Sequence, residues 1–159
     1  MKTVILYTSN YDYTKAMAER IALGRSEHTQ CINLDQDKLP DFADIDTIVL
    51  GSSIYVGQIH KSMKTFIDKH HAMLLSKSLI IYLCCAFEHE FENHLSNNFP
   101  EVLLAHASLI TNLGGQIDKS KLNFGHKLLV TMIEKTEAGK KPILRHDERI
   151  DEVLRVLSA

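Results

Sequence analysis

From Val4 to Ala18 the chain reads Val-Ile-Leu-Tyr-Thr-Ser-Asn-Tyr-Asp-Tyr-Thr-Lys-Ala-Met-Ala. Its middle holds the residues best suited to chemistry: the hydroxyls of Thr8, Ser9 and Thr14 and the amide of Asn10, with no lysine or arginine between Thr8 and Thr14. The apolar run before them suits a strand covered on both faces, and the run after them has helical spacing. A loop entering a helix carries unpaired N–H groups and partial positive charge, so neutral donors added there make a site for an anion. A single phosphate monoester fits that set. A nucleoside triphosphate calls for Gly-x-x-x-x-Gly-Lys-Ser/Thr and a dinucleotide for Gly-x-Gly-x-x-Gly, and neither pattern is present. The same residues also fit an ordinary strand-to-helix turn with Thr14 or a neighbour as N-cap, and this stretch alone leaves both readings open.

The elements that must position this loop follow from hydrophobic period. A first helix is expected over about 13–23, stopping at Gly24 as a left-handed C-cap. A second strand follows over 29–34, then a polar connection over 35–44 containing Pro40. The third strand is 47–51. After it comes a second informative loop, Gly51-Ser52-Ser53-Ile54-Tyr55-Val56-Gly57-Gln58-Ile59-His60, leading into a helix over 61–75 with Met63, Phe66, Ile67, His70 and Leu74 on one face. The fourth strand is 79–84, the segment 87–105 is helical with Pro100 interrupting it, and the fifth strand is 107–113, ended by Gly114-Gly115.

Residues 116–142 form an extra piece with one amphipathic helix, whose stripe of Leu122, Leu129, Met132 and Ile133 is expected to pack on the sheet edge. Residues 141–145 are expected to resume the fifth strand, and 147–157 the last helix. Strands alternating with helices imply an α/β fold, a doubly wound parallel sheet in the order 2-1-3-4-5 with helices on both faces. In such a sheet ligands bind beyond the carboxyl ends of the strands at the switch point, which brings the Thr8–Thr14 loop beside the Ser52–His60 loop.

At 159 residues with 45% hydrophobic content the chain reads as one domain, 1–159, with material for a full core. It shows no apolar run of bilayer length, and Met-Lys-Thr leads straight into the first strand, so a cytoplasmic location is expected. Cys31, Cys84 and Cys85 sit in apolar, strand-like settings without zinc spacing and read as buried thiols in a reducing compartment. A formal net charge of -2 with scattered Lys and Arg gives no basic stripe for nucleic acid. His89-Glu90-Phe91-Glu92-Asn93-His94 approaches a zinc motif, but its histidines lie about 140° apart around a helix and share no face. No metal site is expected.

Three stretches in order carry a resemblance: Thr8-Ser9-Asn10-Tyr11-Asp12-Tyr13-Thr14, the loop from Gly51 to His60, and Gly114-Gly115-Gln116-Ile117-Asp118 before Leu122-Asn123-Phe124. Together they resemble the flavodoxin-like FMN proteins and, within them, the menaquinone-dependent protoporphyrinogen oxidase type. The resemblance covers almost the whole chain. It implies a non-covalent FMN whose phosphate is held by backbone amides and hydroxyls over Thr8 to Thr14, Asp12 and Tyr13 included. It also implies an isoalloxazine between Ser52, Ser53, Ile54, Tyr55 and Gly57 on one side and the loop Cys85, Ala86, Phe87 on the other. Tyr55 and Phe87 would cover the ring, and the backbone carbonyl of Gly57 would turn toward it.

Relatives usually carry glycine where Asp12 stands, and a carboxylate there repels a phosphate unless it points outward or caps the helix. His60 either starts the next helix or contacts the ring. The resemblance implies an FMN-dependent oxidoreductase or electron carrier whose partner is a redox protein, a quinone or a small-molecule substrate, with peripheral membrane contact through 116–135 as a further option. The competing class is an interaction module on the same fold that has lost its flavin.

Overall fold

The computed structural model describes residues 1–25, 28–116, 119–136 and 139–159. Part of the third resembling stretch, Ile117 and Asp118, therefore lies outside the described residues. The strands are β1 (Thr3–Thr8), β2 (Thr29–Asn33), β3 (Thr47–Tyr55), β4 (Gln58–Ile59), β5 (Ser78–Cys84) and β6 (Leu109–Asn112). The α-helices are α1 (Tyr13–Leu23), α2 (Lys61–Leu75), α3 (Phe91–Asn98), α4 (Glu101–His106), α5 (Phe124–Glu134) and α6 (Arg149–Ser158), with a 3₁₀ turn over Glu88–Glu90 before α3.

The parallel strands run in the order β2-β1-β3-β5-β6, which is the expected doubly wound 2-1-3-4-5 order once the two-residue β4 is set aside. β4 pairs only with the end of β3, antiparallel. All six residues of β1 are buried, as a strand covered on both faces requires. Its alternation divides the core: Val4 and Leu6 join Ile48, Leu50, Met63, Phe66 and Ile67 on one face. Ile5 and Tyr7 join Val49, Tyr82, Met17, Ile21, Ile150 and Val153 on the other. Each fully buried aliphatic side chain here contributes roughly 1.5–3 kcal/mol.

Register decides where chemistry can occur. Tyr7 pairs with Gly51 and Thr8 with Ser52, while Ser52 pairs with Leu83 and Ser53 with Cys84. The carboxyl ends of β1 and β5 thus lie within one residue of each other along β3, which runs on to Tyr55, and the segments that follow the three strands line one cleft. Gly51 makes this possible, because a Cβ there would overlap the fully buried Tyr82 ring. The Tyr82 hydroxyl donates to the Thr14 carbonyl at 3.3 Å, tying β5 to the start of α1.

Several boundaries differ from expectation, each for a local reason. Gly24 closes α1 with φ -75, right-handed, its N–H bonding back to Arg20 and Ala22, so no left-handed cap is needed. β3 does not stop at Gly51. It runs to Tyr55 because Val56 (φ 50) and Gly57 (φ 74) turn the chain back into β4, a tight hairpin with two left-handed residues at its tip. Residues 141–145 do not resume the fifth strand: Gly114 at φ 78 turns the chain off the sheet, and the return makes one antiparallel bridge between Gly114 and Arg145. α5 has no buried residue and does not pack on the sheet edge; Met132, expected inside, is 59% exposed.

Candidate functional site

The floor of the site is the turn from β1 into α1. Asp12 occupies the N-cap in a left-handed conformation (φ 65) without a side-chain capping bond, and the first turn of α1 contains no acid. The ordinary capped turn is therefore not what forms here. The left-handed backbone explains why glycine suits this position and why an aspartate, which tolerates it, can replace one. The Asp12 carboxylate points away from the loop and pairs with Lys121 at 3.3 Å on the surface.

Some buried polar atoms here lack a partner, as do the Thr3 and Thr47 hydroxyls at the opposite end of the sheet. Among the described residues the side-chain oxygens of Ser9, Thr14 and Ser53 are buried with no hydrogen-bond partner. Thr14 is only 1% exposed. Its hydroxyl lies beside the Cys84 thiol, which burial pushes up to about 12 against the opposing effect of the Thr14 contact. Leaving buried hydroxyls unpaired costs on the order of 1–3 kcal/mol each, and a ligand accepting from Ser9, Thr14 and Ser53, which line one cleft, would offset that cost.

The walls come from the hairpin and from the segment after β5. Asn98 of α3 holds the hairpin: its Oδ1 accepts from Ile59 N at 3.0 Å, and its Nδ2 donates to the carbonyls of Gly57 and His94, both at 2.8 Å. The Gly57 carbonyl is thus engaged by Asn98. On the other wall Asn112, 1% exposed, accepts from Cys85 N at 3.1 Å and Gly114 N at 2.9 Å and donates to Glu88. Arg149 donates to Glu88 at 2.9 Å and to the Asn112 carbonyl at 2.9 Å. Burial alone would raise the Glu88 carboxyl, but the hydrogen bonds from Arg149 and Asn112 and the nearby positive charge outweigh it and hold the group below its ordinary value. Burial also pushes the Cys85 thiol up to about 11 and the His94 imidazole down, so both are neutral at neutral pH.

The roof is the extra piece. Leu122 and, from α5, Leu129, Val130 and Ile133 face a cleft of about 270 Å³, just below the roughly 300–1,000 Å³ usual for ligand sites. The His126 ring lies 4.2 Å from the Tyr55 ring, centre to centre and tilted by 41°, and its Nδ1 is hydrogen-bonded to the Tyr11 hydroxyl.

Of the residues singled out in the sequence, Ser9, Asn10, Tyr13, Thr14, Ser53, Ile54, Tyr55, Gly57, Cys85, Ala86 and Phe87 line this one cleft. Thr8, Asp12 and Ser52 do not line it. The Thr8 and Ser52 hydroxyls are spent on each other at 3.0 Å, behind the loop, and Asp12 is turned outward. His60 takes the helix-starting role: its Nδ1 accepts from Ser62 N, and Asp35 lies 3.5 Å from it, away from the cleft. Sequence reasoning covered Tyr11 and Val56 only within its two loops, and gave no cleft role to His94, Gly115 or the roof. The period of α5 showed an apolar face but not what that face would cover.

Among the described residues no group of three or more His, Cys, Asp and Glu side chains is placed for a metal ion. Cys31, Cys84 and Cys85 are unbonded thiols. No helix among the described residues is long and apolar enough to cross a membrane.

A family model described as "Flavodoxin domain" matches residues 4–143. Protoporphyrinogen IX dehydrogenase [quinone] of Escherichia coli is 28% identical over 85 residues, 52% of this chain and 47% of that protein, so the match spans about half the length of the curated relative. Among solved structures, a flavoprotein from Lactobacillus acidophilus in complex with FMN superposes with a TM-score of 0.50 at 18% identity, covering 70% of this chain and 92% of that one. Rubredoxin oxygen:oxidoreductase from Desulfovibrio gigas superposes with a TM-score of 0.57 at 13% identity, covering 99% of this chain and 37% of that one. At these identities the superpositions establish a shared fold.

Proposed function

Because the chain belongs to the flavodoxin domain family, we propose that it is a redox protein that works through a non-covalently bound FMN. The observation that carries this reading is the set of buried, unpartnered hydroxyls of Ser9, Thr14 and Ser53 at the end of a helix with no side-chain cap. Ser9, Thr14 and the Asn10 amide, with the free N–H groups of α1, would hold the phosphate without a lysine. Asp12 does not oppose this, since its carboxylate is turned outward and matched by Lys121.

The Ser53–Gly57 hairpin and the Cys85–Phe87 segment would flank the isoalloxazine, with Tyr55 and Phe87 as aromatic cover. FMN supplies the one- and two-electron chemistry, and the protein supplies orientation, exclusion of water and the local hydrogen bonds. No side chain in the cleft is set up as a nucleophile: both nearby thiols are held protonated by burial.

Within this reading the finer assignment is an oxidase-type dehydrogenase that passes electrons to a quinone. The quinone-dependent relative and the roofed cleft support it over an open electron carrier. The outer side of α5 supports a meeting place at a membrane surface through residues 116–135. Phe124, Leu128 and Met132 form an exposed apolar stripe beside Lys127 and Lys135. Three free thiols fit a reducing, cytoplasmic setting.

The test is reconstitution followed by anaerobic assay with protoporphyrinogen and menaquinone. Near-stoichiometric FMN with turnover well above that of free FMN is the expected result. Turnover no better than free FMN removes the oxidase assignment, and failure to bind FMN at micromolar concentration leaves the interaction module ahead.

A further inference from the structure

The excursion between Gly115 and Leu144 is rooted at one place. Gly115 N bonds to the Leu144 carbonyl at 3.0 Å, His146 N bonds to the Leu113 carbonyl at 3.3 Å, and Gly114 bridges Arg145. From that root the arm over 119–136 reaches across the cleft, yet α5 within it has no buried residue and Leu122 is its one buried apolar side chain among the described residues. Its far end is fastened to the floor and wall by side chains. Lys121 pairs with Asp12, an exposed contact worth at most about 1 kcal/mol. His126 does more, since it touches two loops at once.

The position of His126 is itself fixed. It stands in the first turn of α5, where the Asn123 side chain caps the helix by accepting from His126 N at 2.9 Å. From there its ring packs on Tyr55 at 4.2 Å and edge-on to Tyr11 at 5.6 Å, with the Nδ1 bond to the Tyr11 hydroxyl. Tyr11 and Tyr55 line the cleft and His126 does not, so the imidazole stands behind the two tyrosines. Tyr55 sits at the end of β3 next to the left-handed Val56–Gly57 turn, and it is only partly buried in the folded chain. The His126 ring is the aromatic contact it makes among the described residues.

We propose that His126 is a positioning residue for the flavin: it orients Tyr55 and Tyr11 against the bound isoalloxazine and fastens the arm over it. This rests on the FMN reading above. Ser9, Thr14 and Asn10 would select the phosphate, whereas His126 acts through Tyr55 on the ring, so the two functions separate in experiment. Two substitutions divide the contacts: Tyr11→Phe removes the hydrogen bond alone, and His126→Phe keeps an aromatic ring against Tyr55 while removing the Nδ1 partner.

The test measures FMN and riboflavin dissociation rates and visible circular dichroism of the bound flavin for the native chain, His126→Ala, His126→Phe and Tyr11→Phe. Hydrogen exchange over 119–136 is followed in the flavin-free protein. His126→Ala is expected to speed release of FMN and riboflavin alike by about tenfold, from the loss of one aromatic contact and one hydrogen bond. It is also expected to change the visible circular dichroism and to raise exchange over 119–136 without flavin. His126→Phe is expected to restore the dichroic band and Tyr11→Phe to leave it near native. Native release rates and an unchanged band in both His126 variants overturn the proposal. Faster release of FMN with riboflavin unaffected overturns it too, because the residue would then act on the phosphate. If the native chain binds no flavin, the FMN reading fails by itself, and the exchange measurement still decides whether His126 fastens the arm.

Discussion

The floor and the roof of the cleft are built in opposite ways. The floor and one wall stand on the buried ends of β1 and β5, and the loops are pinned by buried amides: Asn98 under the hairpin and Asn112 under Cys85. The roof is a helix without a buried residue, fastened by Lys121 and His126. A stiff floor can hold unpaired hydroxyls in wait for a phosphate, since the sheet offsets the desolvation cost. A lightly fastened roof can shield a ring and still release it.

Five changes probe this contrast. The largest effect is expected from Ser9→Ala with Thr14→Val, which removes the waiting hydroxyls. FMN affinity should fall on the order of 100-fold while riboflavin affinity changes little, as read by fluorescence titration. A bulky apolar residue at Thr14 should also weaken FMN retention, by a smaller factor. Next is Gly51→Ala, whose methyl group meets the Tyr82 ring. Denaturant unfolding should show a loss of roughly 1–3 kcal/mol, as overpacking of a stiff core predicts.

A smaller effect belongs to Glu88. Its carboxyl is held below the ordinary value in the folded chain, so its contribution is present above the unfolded-state pKa and is lost as pH falls through the folded-state value. Glu88→Gln should therefore lower the unfolding midpoint at neutral pH and flatten its decline below about pH 4.5, a window set by the ordinary carboxylate value. The smallest change is expected at Leu128, which is 55% exposed on the outer side of α5. Leu128→Glu should alter fold stability by less than about 0.5 kcal/mol. Sedimentation with anionic vesicles would show whether the same substitution removes membrane contact.

The floor was legible in the sequence because two signals coincided: a lysine-free hydroxyl loop, and strand order that levels it with the loop after the third strand. Ser9, Asn10 and Thr14, singled out by type and place, line the cleft. Thr8 and Ser52 were misplaced for a reason the sequence hides. Both are hydroxyl residues at strand ends, but paired register turns them toward each other. The hairpin was hidden by Val56, a β-branched residue in a left-handed turn, where sequence favours asparagine or glycine. The roof was hidden because helical period reveals an apolar face without its destination. Leu129 and Ile133 face the cleft while Met132, one position earlier than Ile133, faces out.

The most direct test of the account is titration of the purified, flavin-free chain with FMN and with riboflavin side by side. The account predicts sub-micromolar FMN binding and at least about 100-fold weaker riboflavin binding, the worth of a phosphate held by two or more charge-assisted hydrogen bonds. Equal affinity for the two, or no FMN binding at micromolar concentration, would contradict it.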